Sequence, residues 1–458
     1  MASYDNTVTS NTPKGVSKDG EFQNVSGAFF VKKMIIRNQK GELFDLQPIV
    51  TSFTLTEELF SPVIMFNARI RDNVNFFEDF AVSGQEIIHI ILQKANDKNT
   101  RTVEVNLTFL VKEYPNYQKS PQSSVQEYDL IAVSDFAYLS MLKRISRSVK
   151  GNVVDNIKKV FQKDLNMTNV IVTDSCVSSF DGVLVIQSPL KAIEWLRQKA
   201  FDAEGAPFFI FPRISSNLIA ITSLTKLLKR KLYKTYQYKP QQVAVPGTVE
   251  AYEENLDKII NMKSNIKLDK LKQANDGAFS NKTVVTDYAK KSFISKIFNR
   301  DKDAKIKKNK LLEDSPYGKT LNFITNGIAA VAEPLTNLPD ASRTLVSTNS
   351  NSNASGNPNS STVMTDSLGR IKSYLSNMET LNHQIEIYGD FALNPGKKIE
   401  IKVPKSCNIE EYNAKINTAN DPDDDEDKAL SGIYLVAVAV HNFTDGKYTT
   451  TAKIMKDQ

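Results

Sequence analysis

The chain has 458 residues, 41% of them hydrophobic and 24% charged, with a formal net charge of +6. That length supports about three domains of roughly 150 residues, and the mild basic excess favours acidic or nucleic-acid neighbours without requiring them. Only Cys176 and Cys407 occur, which argues against a disulfide framework and fits a reducing compartment, and no run approaches the roughly 20 apolar residues of a membrane-spanning helix.

Met1 to Phe22 is rich in Ser, Thr, Asn, Asp and Lys without an apolar core, so residues 1–25 read as a flexible arm, neither signal peptide nor membrane span. From 26 to 134, strand alternation keeps returning. Phe30 to Ile36 leads into an Asn38-Gln39-Lys40-Gly41 turn; Ile49 to Leu55 and Val63 to Ile70 follow, separated at Ser61-Pro62; Val74 to Phe80 reads as one or two helical turns; Gln85 to Leu92 is another strand. Val103, Val105, Leu107, Phe109 and Val111 take every second position of the next, with Glu104, Asn106 and Thr108 opposite, and Val125 to Val133 completes the set. Six strands with short turns predict a closed or nearly closed antiparallel barrel, an arrangement that removes sheet edges.

The pattern changes over 135–225, which reads as a small α/β domain inserted between all-β parts. Asp135 to Met141 is helical, Val153, Ile157, Val160 and Phe161 fall at helical spacing, and Asn169 to Thr173 is a strand. Ser188-Pro189 opens a strong helix, serine as N-cap and proline at the first helical position, with Leu190, Ile193, Leu196 and Ala200 as its buried stripe. Trp195 sits beside that stripe and reads as a core or interface anchor in preference to a ligand-stacking ring. Phe208 to Phe211 and Leu218 to Ile221 make a hairpin.

Residues 226–458 read as a second all-β unit with insertions over about 290–380. Lys226 to Lys239 holds six basic residues, among them Lys226, Lys229, Arg230, Lys231 and Lys234, interleaved with Tyr233, Tyr236 and Tyr238. Basic residues beside aromatics can grip single-stranded nucleic acid by phosphate neutralisation and base stacking. The same interleaving is what a half-exposed strand shows, and that reading is the stronger. Glu250 to Ile260 fits helix or strand, and Thr283 to Asp287 is a strand. The charged run from Phe298 to Lys310 reads as exposed, and Ser347 to Thr365 as a low-complexity loop or disordered insertion.

Asn382 to Lys456 returns to short strands. His383 to Tyr388 and Lys398 to Val403 alternate, joined through Asn394-Pro395-Gly396, where proline presets one turn dihedral and glycine takes the positive φ of a type II turn. Ile433 to Val440 is nearly all apolar, and Asp445-Gly446 separates it from Lys447 to Met455 as a hairpin. The acidic run Asp421 to Asp427 lacks calcium-loop spacing and reads as a solvated loop tip.

Chemistry is sparse. His89, His383 and His441 are isolated on or beside predicted strands, with no metal-ligand spacing. Gly318-Lys319-Thr320 matches the end of a phosphate loop, but Glu313 stands where its earlier glycine belongs. No Gly-x-Ser-x-Gly turn occurs, and Glu57-Glu58 or Glu410-Glu411 are unremarkable among 52 acids. No catalytic residue, cofactor or metal is implied.

Leu59-Phe60-Ser61-Pro62, Ile70-Arg71-Asp72 and Ser83-Gly84-Gln85-Glu86 resemble the first barrel of central hub proteins from the baseplates of contractile-tailed bacteriophages. Arg144 to Ser148, Val153 to Phe161, Gln187 to Leu196 and Ala206 to Phe211 are similar to the α/β domain of tail hub and late-control proteins. Ile387-Tyr388-Gly389-Asp390, Asn394 to Lys397 and Leu430 to Val436 look like strands of that family's second barrel. The resemblance, carried by motifs in the right order over most of the chain, implies a mainly β fold with an α/β insertion: two tail-tube-like antiparallel β-barrels plus a small α/β domain.

It also implies a non-enzymatic homotrimer whose six barrels form a pseudo-six-fold ring joining the tail tube to a central spike. Such a ring contacts neighbouring baseplate proteins and lines a channel for tape-measure protein and DNA, in a virion assembled in the host cytoplasm without membrane insertion. Two rival classes stand beside it. A hub-like base of a contractile injection or secretion machine often carries its spike on the same chain, whereas this sequence runs to Gln458 without a β-helical or lysozyme-like region, which favours a separate spike. A tail-associated peptidoglycan hydrolase or a single-strand-binding protein would need a paired acid site or the Lys226–Lys239 stretch.

Overall fold

The computed structural model describes residues 29–95, 102–119, 125–238, 256–266, 270–288, 291–303, 342–348, 361–378, 381–405, 426–427, 430–444 and 446–456. The first lobe runs through β1 (Phe30–Arg37), β2 (Leu43–Asp45), β3 (Val50–Glu58), β4 (Ser61–Asp72), the short helix α1 (Phe76–Asp79), β5 (Ile87–Ala95), β6 (Thr102–Glu113), β7 (Gln118–Lys119) and β8 (Gln126–Ser134). Its strands pair antiparallel in the order β3-β4-β8-β6-β5-β1-β2. The alternation decides which side of each strand is dry. Phe53 and Leu55 of β3, Phe66, Ala68 and Ile70 of β4, Ile88, Ile90 and Leu92 of β5, and Val105, Leu107, Phe109 and Val111 of β6 all face one core. Each such large side chain contributes about 1.5–3 kcal/mol by leaving water.

The turn before β4 differs from expectation. It lies at Leu59-Phe60, and Ser61-Pro62 are the opening residues of the strand, where proline's missing N–H breaks no interior ladder. The short β2 and β7, each two or three residues long, carry too little alternation to be legible in the sequence.

The α/β unit follows with α2 (Asp135–Leu142), β9 (Ile145–Val149), α3 (Val153–Asp164), β10 (Val170–Val172), β11 (Gly182–Gln187), α4 (Pro189–Arg197), β12 (Phe208–Arg213), a 3-10 turn at Ile214–Ser216, β13 (Leu218–Ser223) and α5 (Leu224–Leu228). β12 and β13 form the hairpin, with β10 parallel to β13, while β9 and β11 make a separate ribbon. Val153, Val154, Ile157, Val160 and Phe161 of α3 pack with Ala192, Ile193 and Leu196 of α4. Asn152 caps α3, its side chain accepting from the N–H groups of Val154 and Asp155 at 2.9 and 3.3 Å.

At α4 the cap works otherwise than its sequence suggests. Ser188 holds the extended N-cap backbone and Pro189 opens the helix, but the Ser188 hydroxyl makes no capping bond. The Leu190 N–H donates instead to the Ser140 hydroxyl of α2, 2.9 Å away. Trp195 packs against this core, edge-on to Phe180 at 5.0 Å, with the Lys199 ammonium 4.3 Å from its ring centre.

The second lobe is built from β14 (Leu232–Gln237), β15 (Ile259–Ile266), β19 (Leu381–Tyr388), β20 (Lys398–Lys402), β21 (Gly432–Thr444) and β22 (Lys447–Lys456); between them lie β16 (Ser280–Asp287), β17 (Ser292–Asn299) and β18 (Arg343–Thr348). Pairing runs β14-β20-β21-β22-β19-β15, and the Gln237–Lys258 bridge, with the Gln237 N–H donating to Asp257 at 2.8 Å, brings the two ends of that path together. The dry interior holds Tyr236, Ile385, Ile387, Ile399, Ile401, Tyr434, Val436, Ala452 and Ile454. The expected type II turn is present: Gly396 has φ +77°, and the Lys397 N–H donates to Asn394 at 3.3 Å.

β16, β17 and β18 form a small sheet packed against the helix Ser361–Met378. Two expectations give way here. Phe298 is buried, not exposed, because it closes the end of β17 beneath that helix, and Asn281 of β16 donates to the Gly369 carbonyl at 2.9 Å. Residues 347–348 complete β18 and 361–365 begin the helix, so the ends of the Ser347–Thr365 stretch are ordered by their neighbours; 349–360 lie outside the described residues, as do 1–28, 304–341 and 421–425.

One strand ties the lobes together. β21 spans 13 residues: its first part pairs with β20, and Val438 to Thr444 pair with Glu58 to Ser52 of β3. The β21–β22 hairpin therefore contributes Val436, Ala452 and Ile454 to the second core and Phe443 and Tyr448 to the first. The result is a mainly β molecule, a single 14-stranded sheet curled into two lobes with the α/β unit against their junction.

Candidate functional site

The most chemically dense place in the fold is the junction of the two lobes and the α/β unit. On β3, the period that buries Phe53 and Leu55 also turns Glu57 inward, where it is fully buried. On β21 the same period turns His441 inward between Ala439 and Phe443, and on β22 it turns Tyr448 and Thr450 inward.

These groups meet. Glu57 Oε1 accepts from Asn394 Nδ2 at 3.0 Å and lies 3.5 Å from His441 Nε2, while Glu57 Oε2 accepts the Ile214 N–H at 2.9 Å. Because a carboxylate can only accept, Nε2 carries the imidazole proton, and Nδ1 accepts from the Tyr448 hydroxyl at 2.8 Å. The Ser215 hydroxyl donates to Asn394 Oδ1 at 3.0 Å. Five segments of distant sequence, namely β3, the 3-10 turn, the 391–394 turn, β21 and β22, thus share one satisfied network in a dry interior. Burial pushes the Tyr448 phenol far above its ordinary range. Glu57 and His441 are both fully buried, and the network they share holds three units in register.

Around this network lie cations. Lys94 of β5 donates to the Gly389 carbonyl and lies over the Tyr448 ring, bridging the first lobe to the turn after β19. Arg213, at the end of β12, lies over Phe211 at 5.7 Å. Arg230 donates to the Gly396 carbonyl at 3.0 Å, and Lys397 lies 4.3 Å from the centre of the Tyr233 ring, whose hydroxyl donates to Asp390 at 2.8 Å. Burial, then the charge of Arg213, pushes Arg230 down to about 10.

The basic stretch singled out in the sequence is divided by the fold. Lys226 on α5 and Lys231 are exposed, and Lys229, also exposed, lies 3.7 Å from Glu204. Arg230 turns into the junction. Lys234 on β14 is paired with Asp257 at 2.9 Å beside the buried Tyr236. Lys226, Lys229 and Lys231 remain together near the α5–β14 turn, while Arg230 and Lys234 are committed to contacts within the chain.

Sequence reasoning passed over Glu57, Asn394, His441 and Tyr448 as a group. The signal that marks them is a polar side chain at an inward position of an alternating strand. Among the described residues, no group of three or more His, Cys, Asp or Glu side chains is placed to hold a metal ion, and no helix is long and apolar enough to cross a membrane. Gly318-Lys319-Thr320, Cys407 and Glu410-Glu411 lie outside the described residues.

No protein-family model matches the chain, and no curated protein matches it. Solved structures do. A tail protein from Neisseria meningitidis MC58 superposes over 94% of this chain and 97% of its own, at 9% identity and a TM-score of 0.51. The 43 kDa tail protein of prophage MuSo2 from Shewanella oneidensis aligns over 93% of this chain and 99% of its own, at 9% identity and a TM-score of 0.49. The prophage tail protein gp18 from Listeria monocytogenes EGD-e aligns over 93% and 95%, at 8% identity and a TM-score of 0.45. The first of these carries the assignment: this chain has the fold of the meningococcal tail protein, shared along nearly the whole length of both.

Proposed function

We propose that this chain is a structural hub subunit of a contractile phage tail, acting through its interfaces and not as an enzyme. The observation that carries the reading is the pair of lobes, six principal strands each, built on one chain and locked together by a shared β21–β22 hairpin, in a fold common to a tail protein. Three copies of a two-lobed subunit present six near-equivalent positions about a three-fold axis. Such a ring matches a six-fold tail tube on one side and a three-fold spike on the other.

In this reading the homotrimer stacks beneath the tail tube or its initiator, receives a separate central spike, touches neighbouring baseplate proteins, and surrounds a channel through which DNA passes. The exposed Lys226, Lys229 and Lys231 are the basic residues available to a passing phosphate backbone. The protein belongs to the virion tail, assembled in the host cytoplasm. The proposed domain division follows the same logic: an arm over 1–25, barrels over 26–134 and 226–458, and the α/β domain over 135–225.

Light scattering on the purified protein, alone and with the spike protein encoded alongside it, tests the reading. Trimers of the 51.3 kDa chain, formed alone or on adding the spike, are the expected outcome. A monomer that never joins the spike overturns it.

A further inference from the structure

We propose that Arg213, Arg230 and Lys397 form a binding site for a phosphate-type oxyanion at the junction of the α/β unit with the second lobe. The three cations come from separate segments: the end of β12, the turn after α5, and the residue before β20. They are gathered around one tight turn. Gly396 is the acceptor for Arg230, a β-carbon added to it would meet the Phe211 ring at 2.9 Å, and Phe211 is the ring under Arg213; Lys397 is the next residue in the chain.

All three side chains are half-buried, yet none has an ion pair among the described residues. Several other half-buried cations of this chain are paired. Arg147 is bound to Asp164 and Arg197 to Glu194, both at 2.6 Å, and Lys234 to Asp257 at 2.9 Å.

The nearby acids offset these charges only in part: Glu57 favours the charged form of Arg213 and Asp390 that of Lys397, but neither carboxylate is within ion-pair distance. Asp390 accepts from the Tyr233 hydroxyl and the Ala392 N–H, and Glu57 accepts from Asn394 and the Ile214 N–H. The cations also repel one another: Arg213 depresses both Arg230 and Lys397, beyond the effect of burial. Holding three like charges half out of water is costly unless an anion offsets them. Among the described residues, Arg230 spends one N–H on Gly396 and donates nowhere else, and Arg213 donates no side-chain hydrogen bond. Two guanidinium forks and an ammonium offer more donors than the flat edge of a carboxylate can accept from, and the tetrahedral oxygens of a phosphate suit them better.

The test is thermal unfolding and calorimetric titration of the full chain with inorganic phosphate at constant ionic strength, with chloride and acetate as controls. Phosphate is expected to raise the unfolding temperature saturably, on the order of a few degrees. Arg213→Gln with Arg230→Gln is expected to weaken phosphate binding at least tenfold. Lys397→Gln, which leaves the Arg230–Gly396 contact in place and so keeps the fold, is expected to weaken it several-fold. A phosphate response no larger than that of chloride, an equal response to acetate, or wild-type phosphate affinity in Lys397→Gln and Arg230→Gln would each overturn the proposal. A thymidine oligonucleotide that competes with phosphate identifies a nucleic-acid backbone as the source; one that does not identifies free phosphate. Either result leaves the site standing.

Discussion

His383 on β19 is almost wholly buried, its ring 5.2 Å from that of Tyr434, and neither ring nitrogen has a hydrogen-bond partner among the described residues. Burial, and then the charge of Lys456, hold its pKa down to about 4. The unfolded chain protonates this imidazole below about 6.5, so between there and pH 4 the unfolded state holds the extra proton. The stability that neutral His383 supports is complete above about pH 6.5 and is lost as the pH falls towards 4, to a total of about 3 kcal/mol. Urea unfolding at pH 7 and pH 5 should show a smaller acid loss in His383→Leu than in the wild type; equal losses would remove His383 as the cause. Gly389 gives a second test. Its N–H donates to the Tyr448 carbonyl, and a β-carbon there would overlap the Tyr448 ring. Gly389→Ala should cost about 1–3 kcal/mol in urea unfolding, and an unchanged midpoint would contradict this packing. At this scale the sequence shows that His383 lies on a strand and that Gly389 belongs to a resembling motif. It does not show the buried partners, because those come from strands 51 to 73 residues away.

Elements are where local signals and tertiary contacts part company. Ser188-Pro189 marks the start of α4 correctly, yet the helix's free N–H at Leu190 is taken by Ser140 from α2. Ser140→Ala should therefore cost about 1 kcal/mol and Ser188→Ala only a few tenths, measured by chemical unfolding; the reverse order would restore the local cap. Long alternating strands such as β4 and β6 are legible because a period-2 pattern is written into each, and the first part of β21 is legible as an apolar run. β9 and β11 are not, since Val183, Val185 and Ile186 are exposed and leave no one-sided apolar pattern. The helix Ser361–Met378 starts in residues that composition alone reads as a loop, and its packing on β16–β18 overrides that bias. Glu57 joins elements across these units. Glu57→Leu leaves the Ile214 N–H without its acceptor and Asn394 without one of its two, about 1–3 kcal/mol for each unsatisfied group. Amide exchange at Ile214 to Asn217 should rise in that variant and change less in Glu57→Gln; unchanged exchange would show that the junction does not depend on Glu57.

At the scale of the whole molecule, two curled lobes share one hairpin, and neither lobe completes its core without it. The mainly β class is legible from strand count and turn spacing, whereas the shared hairpin is not, because pairing β21 with β3 joins residues nearly 400 positions apart in sequence. The measurement that tests the central claim most directly is cryo-electron microscopy of tails from particles that carry this chain. The account predicts three copies of the chain in the baseplate, their six lobes forming a pseudo-six-fold ring between tube and spike with an open channel through its centre. Density for the chain off the tail axis, or in a copy number that does not divide into a three-fold ring, would contradict it.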